Sequence, residues 1–211
     1  MNQDLSDITI VVDRSGSMES CRTDAEGGVN AFVREQAALP GQVTLTLVQF
    51  DTEYEFVHKG VPIREIPPFH LVPRGGTALL DAVGRAINEA GARLASLPEE
   101  QRPGLVAFVI VTDGEENSSR EFSLKQVREM IIHQREKYNW RFTFLGADDS
   151  AFSQAESMGM AAGDAAQYST AKADQAFAAA SMKIARTRAA FSKGEKNLDL
   201  EFTDEERDRM K

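Results

Sequence analysis

The sequence predicts a doubly wound, Rossmann-like α/β fold: a mostly parallel six-stranded sheet with one antiparallel edge strand and helices on both faces. Three observations predict it. Two short runs stand out, ITIVV at 8–12, apolar and rich in β-branched residues, and LVAFVIV at 105–111, which is uniformly apolar. They read as strands covered on both sides. Longer segments with apolar residues three and four apart alternate with these runs, as helices packed on a parallel sheet require. The short link 51–53 joins two neighbouring strand patterns as a hairpin, which makes that pair antiparallel.

The elements follow in order. The run 8–12 ends abruptly in Asp13-Arg14-Ser15-Gly16-Ser17, a strand entering a tight loop. A helix follows with Val29, Phe32, Val33 and Ala37 on its buried face, stopped by Pro40-Gly41. Residues 43–50 form the second strand and 54–58 the third. Residues 60–74 carry four of the seven prolines and read as a surface connection. The clearest helix begins near Leu79. Leu80, Val83, Ile87, Ala90, Leu94 and Leu97 form one stripe, and Pro98 ends it. The run 105–111 is the central strand. Ser123 caps a helix carrying Leu124, Val127 and Ile131; 141–145 is the next strand, closed by Gly146. A short helix holds Phe152 and Ala155. A last helix, about 171–191, buries Phe177, Ala180, Ile184 and Phe191.

Residues 1–191 read as one domain and 192–211 as a C-terminal extension. In the extension Leu198, Leu200 and Phe202 alternate with Asn197, Asp199 and Glu201, a half-buried strand pattern. Thr203 with Glu206 fits a capping box for a short helix. The extension either packs on the domain's own edge or docks onto another chain.

Composition excludes several classes. The 211 residues carry 24 Lys plus Arg against 33 Asp plus Glu, a net charge of −9. That argues against a nucleic-acid partner, which needs cations to displace phosphate counterions. No apolar run approaches the roughly 20 residues of a membrane span. No secretory signal is visible, and the single cysteine, Cys21, builds neither a disulfide nor a cysteine zinc cluster. A cytoplasmic protein is expected. His58, His70 and His133 are scattered over different elements and receive no role.

In a sheet of this kind ligands bind beyond the carboxyl ends of the strands. Three loops stand out: Asp13-x-Ser15-x-Ser17, then Gly75-Gly76-Thr77-Ala78-Leu79-Leu80-Asp81, then Thr112-Asp113-Gly114. Each offers small oxygen-bearing side chains beside glycine, and none offers His or Cys. Such a set suits a hard cation; Mg²⁺ takes six oxygens and keeps several waters. Asp13, Ser15 and Ser17 are two apart and point the same way in an extended segment. Two carboxylates and three hydroxyls then converge from three loops.

These three pieces resemble the metal-ion-dependent adhesion site, or MIDAS, of von Willebrand factor type A (VWA) domains. Order and spacing match over residues 5–190. The stretch Phe144-Leu145-Gly146-Ala147-Asp148-Asp149-Ser150-Ala151 also resembles a bacterial or phage-type intracellular group. The resemblance implies Mg²⁺ or Mn²⁺ held by Asp13, Ser15, Ser17, Thr77 and Asp113. Ser15 and Ser17 would ligate directly. Thr77 would ligate directly when a ligand is bound and through water otherwise. Asp13 and Asp113 would hold coordinated waters or bind directly in one state. The last position would take water or an Asp or Glu carboxylate of a protein partner. Neutral hydroxyls leave the cation's charge poorly compensated, so an incoming carboxylate is strongly attracted. Intracellular relatives act beside an AAA+ ATPase or in stress-response and phage-associated gene sets.

One departure is Ala78, where many relatives have proline. Arg14 either pairs with Glu115 or Glu116 or reads the partner. Asp51, at a strand end, is a candidate for water-mediated contact with the ion. Asp81 and Ser123 read as cap and turn residues. Glu115, Glu116, Asp148 and Asp149 read as a solvated acidic rim, which would favour a partner carboxylate in a neutral or basic setting. The reading is a binding module and no enzyme. Two alternatives stay open: a Mg²⁺-dependent phosphohydrolase, and a scaffold that binds through its tail. Against catalysis, Ser15 stands where a haloacid-dehalogenase-type site needs a second aspartate. No phosphate-cradling loop, dinucleotide fingerprint or nucleophile elbow is present.

Overall fold

The computed structural model describes residues 1–147, 149–195 and 200–211. Six strands, β1 (Asn2–Asp13), β2 (Gln42–Phe50), β3 (Tyr54–Pro62), β4 (Pro103–Thr112), β5 (Arg141–Gly146) and β6 (Ala165–Gln167), form one sheet. Their order is β3-β2-β1-β4-β5-β6. All neighbours are parallel except β2 and β3, which pair antiparallel at the edge. Helices α1 (Arg22–Ala38), α2 (Leu79–Ala95), α3 (Leu124–Tyr138), α4 (Ala151–Ser157), α5 (Ala173–Ser192) and α6 (Asp204–Met210) cover it.

The uniformly apolar strands separate two cores by their pleat. On β4, Leu105, Ala107, Val109 and Val111 join α1 and α5 in one core. Val106, Phe108 and Ile110 join α2, α3 and α4 in the other. A run apolar at every position therefore serves both faces with period two. The stripe of α2 is buried at Val83, Ile87, Ala90 and Leu94, as its spacing predicts. On α5, Phe177, Ala180 and Ile184 are buried and Phe191 is half-buried. Ser123 makes a full capping box with Gln126, and α3 ends on Asn139 in the left-handed region. Trp140 then stacks on Phe108 with ring centroids 5.4 Å apart.

Three expectations need correction. The connection after β3 is not wholly at the surface: Phe69 and Leu71 are buried. The α1 side chains pin it, because Asn30 Oδ1 accepts from the Phe69 N–H at 2.7 Å and Glu26 Oε2 from the Leu71 N–H at 2.9 Å. No run in the sequence marks β6, whose three residues are ordered by pairing with β5. The tail alternation yields no strand among its described residues. Asn197, Leu198 and Asp199 lie outside the described residues. Leu200 and Phe202 are buried, and the Phe202 N–H donates to the Gly163 carbonyl at 3.1 Å.

Thr203 and Glu206 form the expected capping box at the start of α6. Arg207 of that helix donates to the free Ala165 carbonyl of β6 at 2.7 Å, Arg186 of α5 pairs with buried Glu206, and Met210 is fully buried. The described tail thus covers the sheet's own β6 edge, which would otherwise offer unpaired backbone groups.

The close approach of α1 and α5 depends on Gly28. A Cβ there would lie 2.5 Å from Phe177 Cδ2 and 2.9 Å from its Cβ and Cγ. Alanine gains about 1 kcal/mol of helix propensity. Overpacking a buried contact costs about 1–3 kcal/mol. Gly28→Ala should therefore lower the melting temperature, and adding Phe177→Leu should recover part of the loss in the same melts.

Candidate metal centre

The sheet order makes a switch point between β1 and β4. From β1 the chain proceeds to β2 on one side, while β4 lies on the other. The crevice opens beyond their carboxyl ends, where Asp13 and Thr112 are the last residues. Asp13 is fully buried. Its Oδ1 accepts from the Ser15 N–H at 2.6 Å and its Oδ2 from the Thr112 hydroxyl at 2.6 Å. No such role for Thr112 was expected from the sequence. Its signal was its place at the end of the neighbouring parallel strand.

Ser15 Oγ and Ser17 Oγ lie 3.0 Å apart, and the Ser17 hydroxyl donates to Asp113 Oδ1 at 2.7 Å. The Cα of Gly114 faces the same place. A Cβ built there would be 3.6 Å from Thr77 Oγ1 and 3.7 Å from Ser17 Oγ. The structure thus brings together the oxygens of Ser15, Ser17, Thr77 and Asp113, and Asp13 joins them through the hydrogen bond from the Ser15 N–H. Among the described residues no group of three or more His, Cys, Asp or Glu side chains is placed to hold a metal. The set here has two carboxylates and three hydroxyls, a donor chemistry that fits a hard cation completed by water or a partner.

Glycine permits the close packing of these loops. Gly75 has φ +68°, and its carbonyl accepts from the Gly16 N–H at 3.1 Å. A Cβ on Gly76 would lie 2.5 Å from Ser118 Oγ. The Thr77 backbone is clamped from the 112–122 loop. Its N–H donates to Asn117 Oδ1 at 3.0 Å, and its carbonyl accepts from the Asn117 and Ser118 N–H groups.

Arg14 contradicts both sequence expectations. It reaches neither Glu115 nor Glu116, and it is buried rather than presented to a partner. Its Nε donates to Asp51 Oδ2 at 3.0 Å and its Nη1 to Glu55 at 2.6 Å. Alternation from inward-facing Asp13 turns Arg14 toward β2, and its N–H continues the ladder to the Phe50 carbonyl. Asp51 does not face the metal loops as a free carboxylate, because the same Oδ2 also accepts from Arg74 Nε at 2.7 Å. Burial raises the Asp51 pKa. The Arg74 and Glu53 hydrogen bonds and the charges of Arg14 and Arg74 outweigh it, so the carboxyl sits below its usual range.

Ala78 uses what proline would lack: its N–H donates to the Asp51 carbonyl at 3.0 Å. Glu116 is no solvated rim residue, since its carboxylate accepts from the N–H groups of Leu80, Ser118 and Ser119. Asp81 likewise holds the N–H groups of Arg120, Glu121 and Phe122, the turn role expected of it. Glu115 is exposed, Asp149 accepts from Gln167, and Asp148 lies outside the described residues.

Burial pushes the Asp13 carboxyl up to about 6. The Thr112 and Ser15 hydrogen bonds oppose the shift, and the charge of Asp113 adds to it. Cys21, buried beside these carboxylates, is a free thiol pushed up to about 11, chiefly by burial. It is a packing residue, as its size suggests.

With this geometry in place, the comparisons decide the family. The model of the von Willebrand factor type A domain matches residues 6–158. The chain belongs to this family. No curated protein matches it. Among solved structures, proximal thread matrix protein 1 from the mussel byssus, with a zinc-occupied MIDAS motif, superposes with TM-score 0.59 at 12% identity. It covers 82% of this chain and 46% of that one. The PilB minor pilin from Streptococcus sanguinis gives 0.59 at 14%, covering 90% and 62%. The pilus adhesin SpaC from Lactobacillus rhamnosus GG gives 0.64 at 15%, covering 86% and 31%. At such identities these proteins share the VWA fold with the chain. The chain spans less than two thirds of the length of each. Among the described residues no helix is long and apolar enough to cross a membrane.

Two predictions follow from the geometry of this VWA domain. Asp51→Ala removes the acceptor of two guanidiniums and leaves Arg14 buried; breaking a buried pair costs about 3–5 kcal/mol. Chemical denaturation should show a loss of that size. Asp13 has the opposite sign. With a folded pKa above the unfolded 3.8, it contributes stability below pH 3.8 that is lost as pH rises through about 6. In EDTA, Asp13→Asn should remove that component of the wild-type decline in melting temperature between pH 4 and 7.

Proposed function

We propose that Asp13, Ser15, Ser17, Thr77 and Asp113 form a complete MIDAS and that this domain captures a partner protein through a divalent cation, Mg²⁺ or Mn²⁺. One observation carries the reading. Three loops far apart in sequence bring five small oxygen-bearing side chains to one crevice, with Ser17 joined to Asp113 at 2.7 Å. Ser15 and Ser17 would hold the ion through their hydroxyls. Thr77 would join directly when the partner is bound and through water otherwise. Asp13 and Asp113 would fix coordinated waters or bind directly in one state. The cation, when bound, supplies an under-neutralised positive centre, and the partner supplies an Asp or Glu carboxylate. The zinc-occupied MIDAS of the mussel protein supports a divalent ion at this place in the fold.

The chain's own residues prepare that site. The buried Asp13 carboxylate is disfavoured by burial and by Asp113, and a cation would relieve both. The clamped Thr77 backbone fixes where its hydroxyl can move. Family members are typically interaction modules, and this domain is read as one, without catalysis of its own. The rival in which the tail does the binding loses support, because Glu206, Arg207 and Met210 are spent on the domain itself. We take 1–191 as the domain and 192–211 as an extension folded onto it. The bacterial or phage-type intracellular setting rests on the resemblance of residues 144–151, an AAA+ or stress-associated partner on the relatives of that group, and the cytoplasmic location on the lack of a visible targeting signal.

Thermal melts in EDTA, Mg²⁺, Mn²⁺ and Zn²⁺ test the site. Metal at 100 times its dissociation constant adds about 2.7 kcal/mol. For a domain of this size that is about 5–11 °C. The rise should vanish in Asp13→Ala and shrink in Thr77→Ala. Pull-down of partner should need metal and fail in EDTA. Equal metal stabilisation in wild type and Asp13→Ala would sink the site.

A further inference from the structure

The opposite end of the sheet holds chemistry that the metal loops do not use. Arg141 opens β5 and pairs with Ala107 of β4, while Thr112 pairs with Gly146 at the other end. The length of β5, about 17 Å at roughly 3.3 Å per residue, separates Arg141 from the metal loops. A cavity of about 210 Å³ lies at this end, lined by Ile132, Arg135, Trp140, Arg141, Phe142 and Asp164, with exposed Glu136.

Arg141 is half-buried, yet its guanidinium makes no hydrogen bond or ion pair among the described residues. Its Nε is fully covered and unpartnered. It rests over the Phe191 ring at 5.7 Å. A covered donor without an acceptor bears its full desolvation, so native structures rarely leave one. The nearest carboxylate does not serve it, because Asp164 Oδ1 is held by buried Lys183 at 2.9 Å. Arg135 donates to the Gly159 carbonyl at 2.6 Å and adds a second positive charge to the cavity wall. Burial holds the Arg141 pKa below its ordinary value; the Asp164 charge opposes this and the Arg135 charge adds to it.

Charge and shape together define an occupant. Asp164 is paired with Lys183 from outside the cavity, and the remaining lining charges, Arg135 and Arg141 against Glu136, leave one positive charge in excess. A singly charged anion balances it. The planar fork of an arginine matches a carboxylate through two parallel hydrogen bonds. Ile132, Trp140 and Phe142 give the rest of the wall an apolar character. We propose that this cavity is a second ligand site, for a small organic carboxylate whose charged end seats on Arg141 and whose hydrocarbon body lies on the Trp140 side.

Trp140 is the chain's only tryptophan, so its emission reports on this cavity alone. Benzoate titrated into the full chain should change that emission along a saturating curve. Benzamide, the same ring without the charge, should bind at least tenfold more weakly. Arg141→Gln should abolish the benzoate response with an unchanged circular-dichroism spectrum, and Asp13→Ala should leave it intact. In ¹⁵N-labelled wild type the Arg141 Nε–H resonance should move along the same curve, a readout that needs no variant to fold. No saturation at tens of millimolar benzoate overturns the proposal, as does equal binding of benzamide or an unmoved Arg141 resonance. Tighter saturation by inorganic phosphate than by benzoate overturns the carboxylate assignment.

Discussion

The ion pair between Arg14 and Asp51 ties two of the crevice's three loops, those of Ser15 and Thr77, to the turn after β2. Arg14 belongs to the loop after β1 and Asp51 to the loop after β2. Arg74 binds the same carboxylate oxygen, and the Asp51 carbonyl accepts from the Ala78 N–H, so the glycine-threonine loop is drawn in as well. A buried ion pair contributes little net stability against a well-packed apolar substitute. Its value here is positional. Both sides of Thr77 are fixed, by Gly75 and Ala78 on one loop face and by Asn117 and Ser118 on the other. The hydroxyl that must meet an ion is therefore carried on a braced backbone.

The electrostatics of the crevice run against this bracing. Arg14, Asp51 and Glu55 compensate one another, and the arginine holds the Glu55 carboxyl below its usual range through its hydrogen bond. Among the described residues Asp13 makes no ion pair with a cation. Its hydrogen bonds come from a hydroxyl and a backbone N–H, which partly support a carboxylate that burial disfavours. The fold thus neutralises the charges that hold the loops, while the Asp13 carboxylate at the crevice is supported by the neutral donors of Ser15 and Thr112. That contrast gives a divalent ion a place where its charge lowers the free energy of the folded state.

The same division appears at the other end of β5. Asp164 of the cavity wall is compensated by Lys183, and Arg141 does not share in that pairing. Arg141 at the amino end of β5 and Asp13 at the carboxyl end of β1 are thus both buried or half-buried charges without an ion pair among the described residues.

Much of this was legible in the amino-acid order. The apolar runs at 8–12, interrupted only by Thr9, and at 105–111 determined central strands, because a strand covered on both faces carries apolar residues at successive positions. The stripe through Val83, Ile87 and Leu94 determined a helix packed on one side. Asp13, Ser15, Ser17, Thr77 and Asp113 were legible as a set, because their residue types and spacing are local properties of each loop. Ser123 and Thr203 announced their caps for the same reason. The tertiary structure alone decided the partners of Arg14, Asp51, Glu116 and Thr112. Each interacts with residues distant in sequence, and a charged side chain gives no local sign of which opposite charge it will meet. It also decided β6, three residues too short for any periodicity, and the burial of Phe69, which the side chain of Asn30 enforces across the fold. Arg141 belongs with these: its sequence position marks only the start of a strand, and its lack of a partner is a property of the packed whole.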